Sequence, residues 1–322
     1  MYMSELIEAD FIVPLEYGEM RVDQVVARLM PEHSRSRIQS WIKSGSLKVN
    51  EQECKPKDKV IMGDVINIHA EVVSRDRWLP EDIPLDILYE DRHIVIINKP
   101  AGMVVHPAAG NLNGTLLNGL LFRFPEMDVL PRAGIVHRLD KDTSGLMVAA
   151  RSLVAHTSLV SQLQDRSMGR EYEAVAIGAM TGSGTVDQPI ARHAQNRLKM
   201  AVHPGGKSAV THFRVVQRYQ GFTHIQCKLE TGRTHQIRVH MSYIHHPLVG
   251  DPVYGGRVNL PKGCDSAFAD YLRGFGRQAL HAGKLTLLHP ESARQLSWEA
   301  PVPADMVDLL ARIECHDRRL GD

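Results

Sequence analysis

The chain holds only four cysteines in 322 residues, Cys54, Cys227, Cys264 and Cys315, and no two of them form a C-x-x-C pair. That argues against a disulfide framework and a cysteine-based zinc site, and reduced thiols are expected. Also missing is any run of roughly eighteen apolar residues, and the opening MYMSELIEAD has no basic start followed by an apolar stretch. Neither a membrane span nor a secretion signal is expected, and the expected location is the cytoplasm. Internal repeats and low-complexity tracts are absent too. What is present is 43% hydrophobic residues over a length that can bury a sizeable core and hold more than one domain.

Net charge is the next absence, since 38 Lys and Arg face 37 Asp and Glu to leave a formal +1. The balance conceals segregation along the chain. Residues 1–20 carry Glu5, Glu8, Asp10, Glu16 and Glu19 and no Lys or Arg. Residues 188–229 carry Arg192, Arg197, Lys199, Lys207, Arg214, Arg218 and Lys228 and no acid. Such a stretch is either a solvated face or a track for phosphates, and charge alone does not choose between them.

Residues 19–75 read as a small unit. An apolar helix around Val25, Val26 and Leu29 precedes a second helix in SRSRIQSWIKSG, with Ser34 or Ser36 as its cap, Ile38, Trp41 and Ile42 on one face, and Gly45 at its end. A strand pair follows in LKVNEQECK and KVIMGDVINI. Arg35, Arg37, Lys43, Lys48, Lys55, Lys57 and Lys59 give the unit a basic surface, and the whole segment resembles the S4 RNA-binding domain. Residues 76–84, with Pro80 and Pro84, read as a linker into a second domain over 85–322. There, short apolar runs such as IVIIN, GLMVAA, EYEAVAIG and THIQCKLE alternate with turns, while LVAHTSLVSQLQ and ADMVDLLARIEC are the clearest helices. In THIQCKL, Thr223, Ile225, Cys227 and Leu229 alternate with His224, Gln226 and Lys228, as in a half-buried strand. The expected fold class is α+β, a catalytic domain on a largely antiparallel mixed sheet behind a small N-terminal S4-like domain.

The stretch GIVHRLDKDTSGLMVAARS, residues 134–152, sets a charged loop between two apolar strands, which is where a site would be placed. Taken as residues alone, Asp140 and Asp142 are as well read as turn formers that bond local N–H groups. The pattern H-R-L-D-x-x-T-S-G, however, resembles the catalytic motif of the RluA-type pseudouridine synthases. The likeness continues in order through NKPAGMVVHP (98–107), REYEAVAIG (170–178), ETGRTHQIRVHM (230–241) and HPLVGDPVYGG (246–256).

That resemblance implies an RNA uridine isomerase needing no metal or cofactor and acting as a monomer on ribosomal RNA of the large subunit, with the helix 69 stem-loop as the family expectation. It implies Asp140 as the nucleophile, Arg238 as the cation beside it, Tyr172 as an aromatic stacked on the target base, and Arg138 as the residue that fills the space the base vacates. Asp140 either attacks covalently or draws off a proton as the glycosidic bond opens. Arg35, Arg37 and Lys43 are expected to touch RNA phosphates. In THQIRVHMSYI, the residues Ile237, Met241 and Ile244 share one helical face, beside which Arg238 would project.

The run His235, His240, His245 and His246 is not read as a metal site, because no cysteine or carboxylate completes a ligand set and Arg233 and Arg238 would repel a cation. Two other functions compete. A glycosidase needs two carboxylates at a set separation, and Asp142 alone accompanies Asp140. A non-catalytic RNA-binding or ribosome assembly factor would need the S4-like unit but not Asp140.

Overall fold

The computed structural model describes residues 4–31, 33, 35–73, 78–108, 110–196, 199–256, 260 and 263–321. The chain divides into two compact units, Met1–Arg77 and Trp78–Asp322.

In the first unit, β1 (Ser4–Ile12), α1 (Val22–Leu29), α2 (Arg35–Lys43), β2 (Leu47–Val49), β3 (Gln52–Glu53) and β4 (Val65–Val73) build a four-stranded sheet in the order β1-β4-β2-β3 with two helices. Val22, Val25 and Val26 recur at helical spacing along α1 and bury against Ile38, Trp41 and Ile42 of α2 and Ile66 and Ile68 of β4. Gly45 takes φ +74° two residues beyond α2, as a helix stop requires. Of the two serines read as its cap, Ser34 lies outside the described residues and Ser36 falls inside the helix, which already begins at Arg35. Strand β1 extends this unit beyond the expected 19–75. It pairs with β4 from Ser4↔Val73 to Ile12↔Val65, and Ile7, Ala9 and Phe11 pack on the core while Glu8 and Asp10 stay exposed. The acids there occupy the outer face of a period-two pattern.

The second unit runs β5 (Ile87–Glu90), β6 (Ile94–Lys99), α3 (Leu116–Arg123), β7 (Ser144–Ala150), α4 (Leu153–Gln164), β8 (Gly169–Ile177), β9 (Gly184–Asp187), β10 (Ile190–Arg192), β11 (Met200–Val202), β12 (Val210–Arg218), β13 (Phe222–Leu229), α5 (Gln236–Tyr243), α6 (Ser266–Gly274), β14 (Leu280–Leu288), β15 (Gln295–Glu299) and α7 (Ala304–Gly321). Nine strands form one sheet in the order β5-β6-β7-β14-β8-β13-β12-β9, with β15 added on β14, and β10 and β11 form a separate ribbon. Every pairing in the sheet is antiparallel except β7 with β14, so the fold is the mixed α+β type expected. Alternation divides the core. Val95, Ile97 and Met147 face α3, whereas Ile94, Ile96, Leu146 and Val148 face α4.

The position of the site follows from the parallel pair. β7 and β14 pair only at their starts, through His281↔Ser144 and Ala282↔Gly145. Gly145 has φ +112°, and a Cβ there would stand 2.3 Å from the Ala282 carbonyl oxygen, so only glycine allows the two backbones to approach. Further along β7, Ile135 bridges Ala149, which leads the 137–143 loop back along the strand and sets Asp140 at its head.

Candidate active site

The loop that carries Asp140 is fastened from below by Lys99, a fully buried lysine at the end of β6. Its Nζ donates to the carbonyls of Pro100 (2.8 Å), Met103 (2.9 Å) and Lys141 (2.9 Å). Burial pulls this ammonium down to about 8, against the opposing pull of Asp142 and Asp140. Further ties come from the Gly102 N–H to the Lys141 carbonyl (2.9 Å), the Thr143 N–H to the Asp140 carbonyl (3.1 Å), and the Gln278 side-chain amide to the Thr143 hydroxyl (2.9 Å). With its backbone so held, Asp140 presents a partly exposed carboxylate.

Arg238 meets it from the first turn of α5. Nη1 donates to Asp140 Oδ2 at 2.8 Å, while Nε and Nη2 donate to the two oxygens of Asp251 at 2.7 and 2.9 Å. Asp251 also accepts the N–H groups of Val253 (2.9 Å) and Tyr254 (3.0 Å). The Tyr254 ring lies under the guanidinium, 5.1 Å from its carbon. Burial would lower the Arg238 value, but the hydrogen bonds and charges of Asp251 and Asp140 outweigh it and hold the guanidinium above its ordinary range. For Asp251 burial acts upward and Arg238 overcomes it, leaving the carboxyl below its usual value.

His235 stands just before α5 with φ 57°, its Nε2 3.8 Å from Asp140 Oδ1. The Tyr254 hydroxyl accepts the Met200 N–H (2.8 Å) and shares a hydrogen bond with His235 Nδ1 (2.8 Å), which orients the imidazole with Nε2 toward Asp140. Burial lowers the His235 value against the pull of Asp140.

Asp140, Tyr172, Arg238 and Arg138 all line one cavity of about 560 Å³. Tyr172, on β8 opposite Cys227 of β13, is 7% exposed. Burial raises its hydroxyl, with Arg170 opposing and Asp140 adding. Arg138 is exposed. The residues read as RNA contacts in the first unit lie on α2: Lys43 is exposed, Arg37 is half-buried, and Arg35 bonds Asp23 Oδ2 through Nε (3.1 Å) and Nη2 (3.0 Å).

Lys99, Asp251, Tyr254 and His235 were passed over as site residues although each lay inside a motif already singled out. A buried lysine ending an apolar strand and an Asp-Pro turn beside two glycines were the available signals. Among the other histidines, His240 is buried between the Thr211 hydroxyl and the Gln188 carbonyl (both 2.9 Å), and His224 pairs with Glu173 (2.7 Å), so these fill polar positions. Among the described residues, no group of three or more His, Cys, Asp or Glu comes together to hold a metal ion, and no helix is long and apolar enough to cross a membrane.

Residues 93–243 match the RNA pseudouridylate synthase family model and residues 20–66 the S4 domain. Together with near full-length relatives, these matches show that the chain belongs to the RNA pseudouridylate synthase family. It is 57% identical over 309 residues to the ribosomal large subunit pseudouridine synthase D of Escherichia coli, covering 96% of this chain and 95% of that one. It is 54% identical to the enzyme of the same name from Pseudomonas aeruginosa, covering 96% and 97%. Human RNA pseudouridylate synthase domain containing 4 shares the catalytic fold at 25% identity, with a TM-score of 0.53 over 71% of this chain and 92% of that one.

Proposed function

We propose that this chain isomerises uridines to pseudouridine in large-subunit ribosomal RNA, with the helix 69 stem-loop as substrate and Asp140 as nucleophile. The reaction breaks N1–C1′, turns the base and joins C5 to C1′, with C5 losing its proton and N1 gaining one at the end. It balances without redox change or hydrolysis, so it calls for no cofactor. One ionised carboxylate beside the anomeric carbon starts it. The observation that carries the reading is the three-part contact Asp140–Arg238–Asp251, in which a buried guanidinium fixed by Asp251 pairs with the Asp140 carboxylate at the cavity wall.

The target uridine must leave its stack to reach that carboxylate, at a cost of roughly a few kcal/mol. Tyr172, kept as a neutral phenol by burial, receives the base as a stacking face. Arg138 fills the vacated place in the RNA. Arg35, Arg37 and Lys43 add phosphate contacts, Arg35 by sharing its guanidinium between Asp23 and the RNA. Mapping pseudouridines in large-subunit RNA from cells with and without this chain tests the reading. Loss of modification at helix 69 is expected. An unchanged map would favour a non-catalytic assembly role instead.

A further inference from the structure

Arg170 is 6% exposed, lines the cavity beside Tyr172, and among the described residues has no carboxylate partner. Its Nε is buried without a hydrogen bond, and its Nη2 makes one weak contact to the Glu230 carbonyl at 3.3 Å. The Glu230 carboxylate is already taken by Arg166 (2.8 Å) and His212 (2.7 Å). Next in the chain after that carbonyl come Thr231, Gly232 and Arg233. A Cβ on Gly232 would lie 2.6 Å from Arg170 Nη1, so the backbone here runs directly against the guanidinium. Arg233 spends its Nε on the Ser208 carbonyl (2.9 Å) and also lines the cavity.

A buried guanidinium without a counter-charge is costly, and here a second guanidinium stands close to it. Burial and the like charge of Arg233 both press the Arg170 value below its ordinary range, against the pull of Tyr172. The nearby His137 adds no further positive charge, since burial and Arg170 push it down to about 3 and it stays neutral. Among the described residues, Asp140 is the single carboxylate in the cavity lining and is already matched by Arg238. The wall therefore carries a surplus of positive charge, and a dianion or monoanion between two guanidiniums would turn their repulsion into attraction.

We propose that Arg170, whose guanidinium lies against Gly232, and Arg233, the next residue in the chain, which lines the same cavity, form a clamp for one backbone phosphate of the RNA. A phosphate is favoured over a carbonyl of the base because only an anion neutralises the surplus. The clamp rests on the functional reading above, and it registers the strand so that the flipped base falls on Tyr172, two residues along β8 from Arg170. In this role Arg170 is a binding residue, distinct from the groups that touch the reacting atoms.

The test is a binding measurement, independent of turnover, with a synthetic helix 69 stem-loop in which each phosphate near the target uridine is replaced in turn by a neutral methylphosphonate. Wild type should lose about ten- to a hundredfold in affinity at one position, the range for a hydrogen bond to a charged group. Arg170→Gln should bind the unmodified RNA weaker by a similar factor, show no further loss at that position, and lower the slope of log affinity against log salt by about one. Arg170→Lys should keep the salt slope and recover part of the affinity, which separates charge from folding, and thermal melting checks that each variant is folded. Should Arg170→Gln fail to fold, Arg233→Gln takes its place in the same cycle.

Equal sensitivity of wild type and variant at every phosphate would overturn the clamp. So would an unchanged salt slope with lost discrimination against cytidine at the target, which would make Arg170 a reader of the base. Failure of the functional reading has a different signature, namely no pseudouridine formed by wild type in this RNA whatever the phosphate scan shows.

Discussion

Arg238 divides its donors between two carboxylates, and the division explains what each does. Asp251, fully buried at its side chain, takes the Nε edge and fixes the plane of the guanidinium, which leaves Nη1 for Asp140. Arg238→Ala should lower the single-turnover rate by about 10²–10³, the usual loss when a fixed electrostatic partner is removed. Arg238→Lys keeps charge but loses the fork and should fall between, and single-turnover rates at saturating RNA for the three proteins decide the matter. An unchanged plateau would release Arg238 from this role. Asp251→Ala leaves a buried guanidinium half-paired and should cost about 3 kcal/mol of stability in urea at neutral pH. Because the folded Asp251 value lies below its unfolded 3.8, its contribution is present above that pH and fades as pH falls through the folded value. The stability gap between wild type and Asp251→Ala should therefore narrow on acidification below 3.8, and a constant gap would mean the lost stability is packing alone.

Among elements, the parallel start of β7 beside β14 is the one the site depends on. Gly145→Ala would drive a methyl to 2.3 Å from the Ala282 carbonyl oxygen at φ +112°, and should destabilise the chain by about 3 kcal/mol or more. Gly256→Ala, at φ +65° with nothing within 4 Å, should cost only about 1 kcal/mol. Urea midpoints for the pair check the contrast, and similar losses would remove the close approach as the reason for the glycine. Gly145 was visible in the sequence only as the last letter of T-S-G. Its partner Ala282 lies far along the chain, and no local pattern links the two. Legibility followed periodicity: β6, β7, β8, β13, α4 and α7 stood out as apolar runs or stripes, and β13 buries Thr223, Ile225, Cys227 and Leu229 as its alternation required. β1 was hidden because its acids were read as a charge run. The β10–β11 ribbon was hidden because three-residue strands carry too little pattern. Helix α5 is buried on nearly every side, from Gln236 to Met241, so the face read through Ile237, Met241 and Ile244 was only part of its packing. Asp140, Tyr172 and Arg238 were singled out only by resemblance to a family motif, and all three line one cavity. Asp251 was not singled out, because its pairing with Arg238 is made by the fold rather than by helical or strand spacing.

At the scale of the molecule, the proposed function divides affinity from chemistry between the two units. It assigns salt-sensitive contacts that carry no base reading to the S4 unit, where Lys43 is exposed on α2, whereas every residue proposed to reach the uridine lies in Trp78–Asp322. Deleting residues 1–75 should weaken binding of the stem-loop by about tenfold or more while the single-turnover rate at saturating RNA changes by less. Titrations of intact and shortened chains measure this, and equal affinities would take the first unit out of recognition. The proposed reaction turns on Asp140, since no other carboxylate among the described residues lines the cavity. The most direct test is single-turnover pseudouridine formation on the helix 69 stem-loop by wild type and Asp140→Asn, with RNA affinity and melting measured on the same samples. The account predicts no detectable product from Asp140→Asn, with affinity and melting close to wild type. Product formation by that variant at a rate near wild type would contradict it.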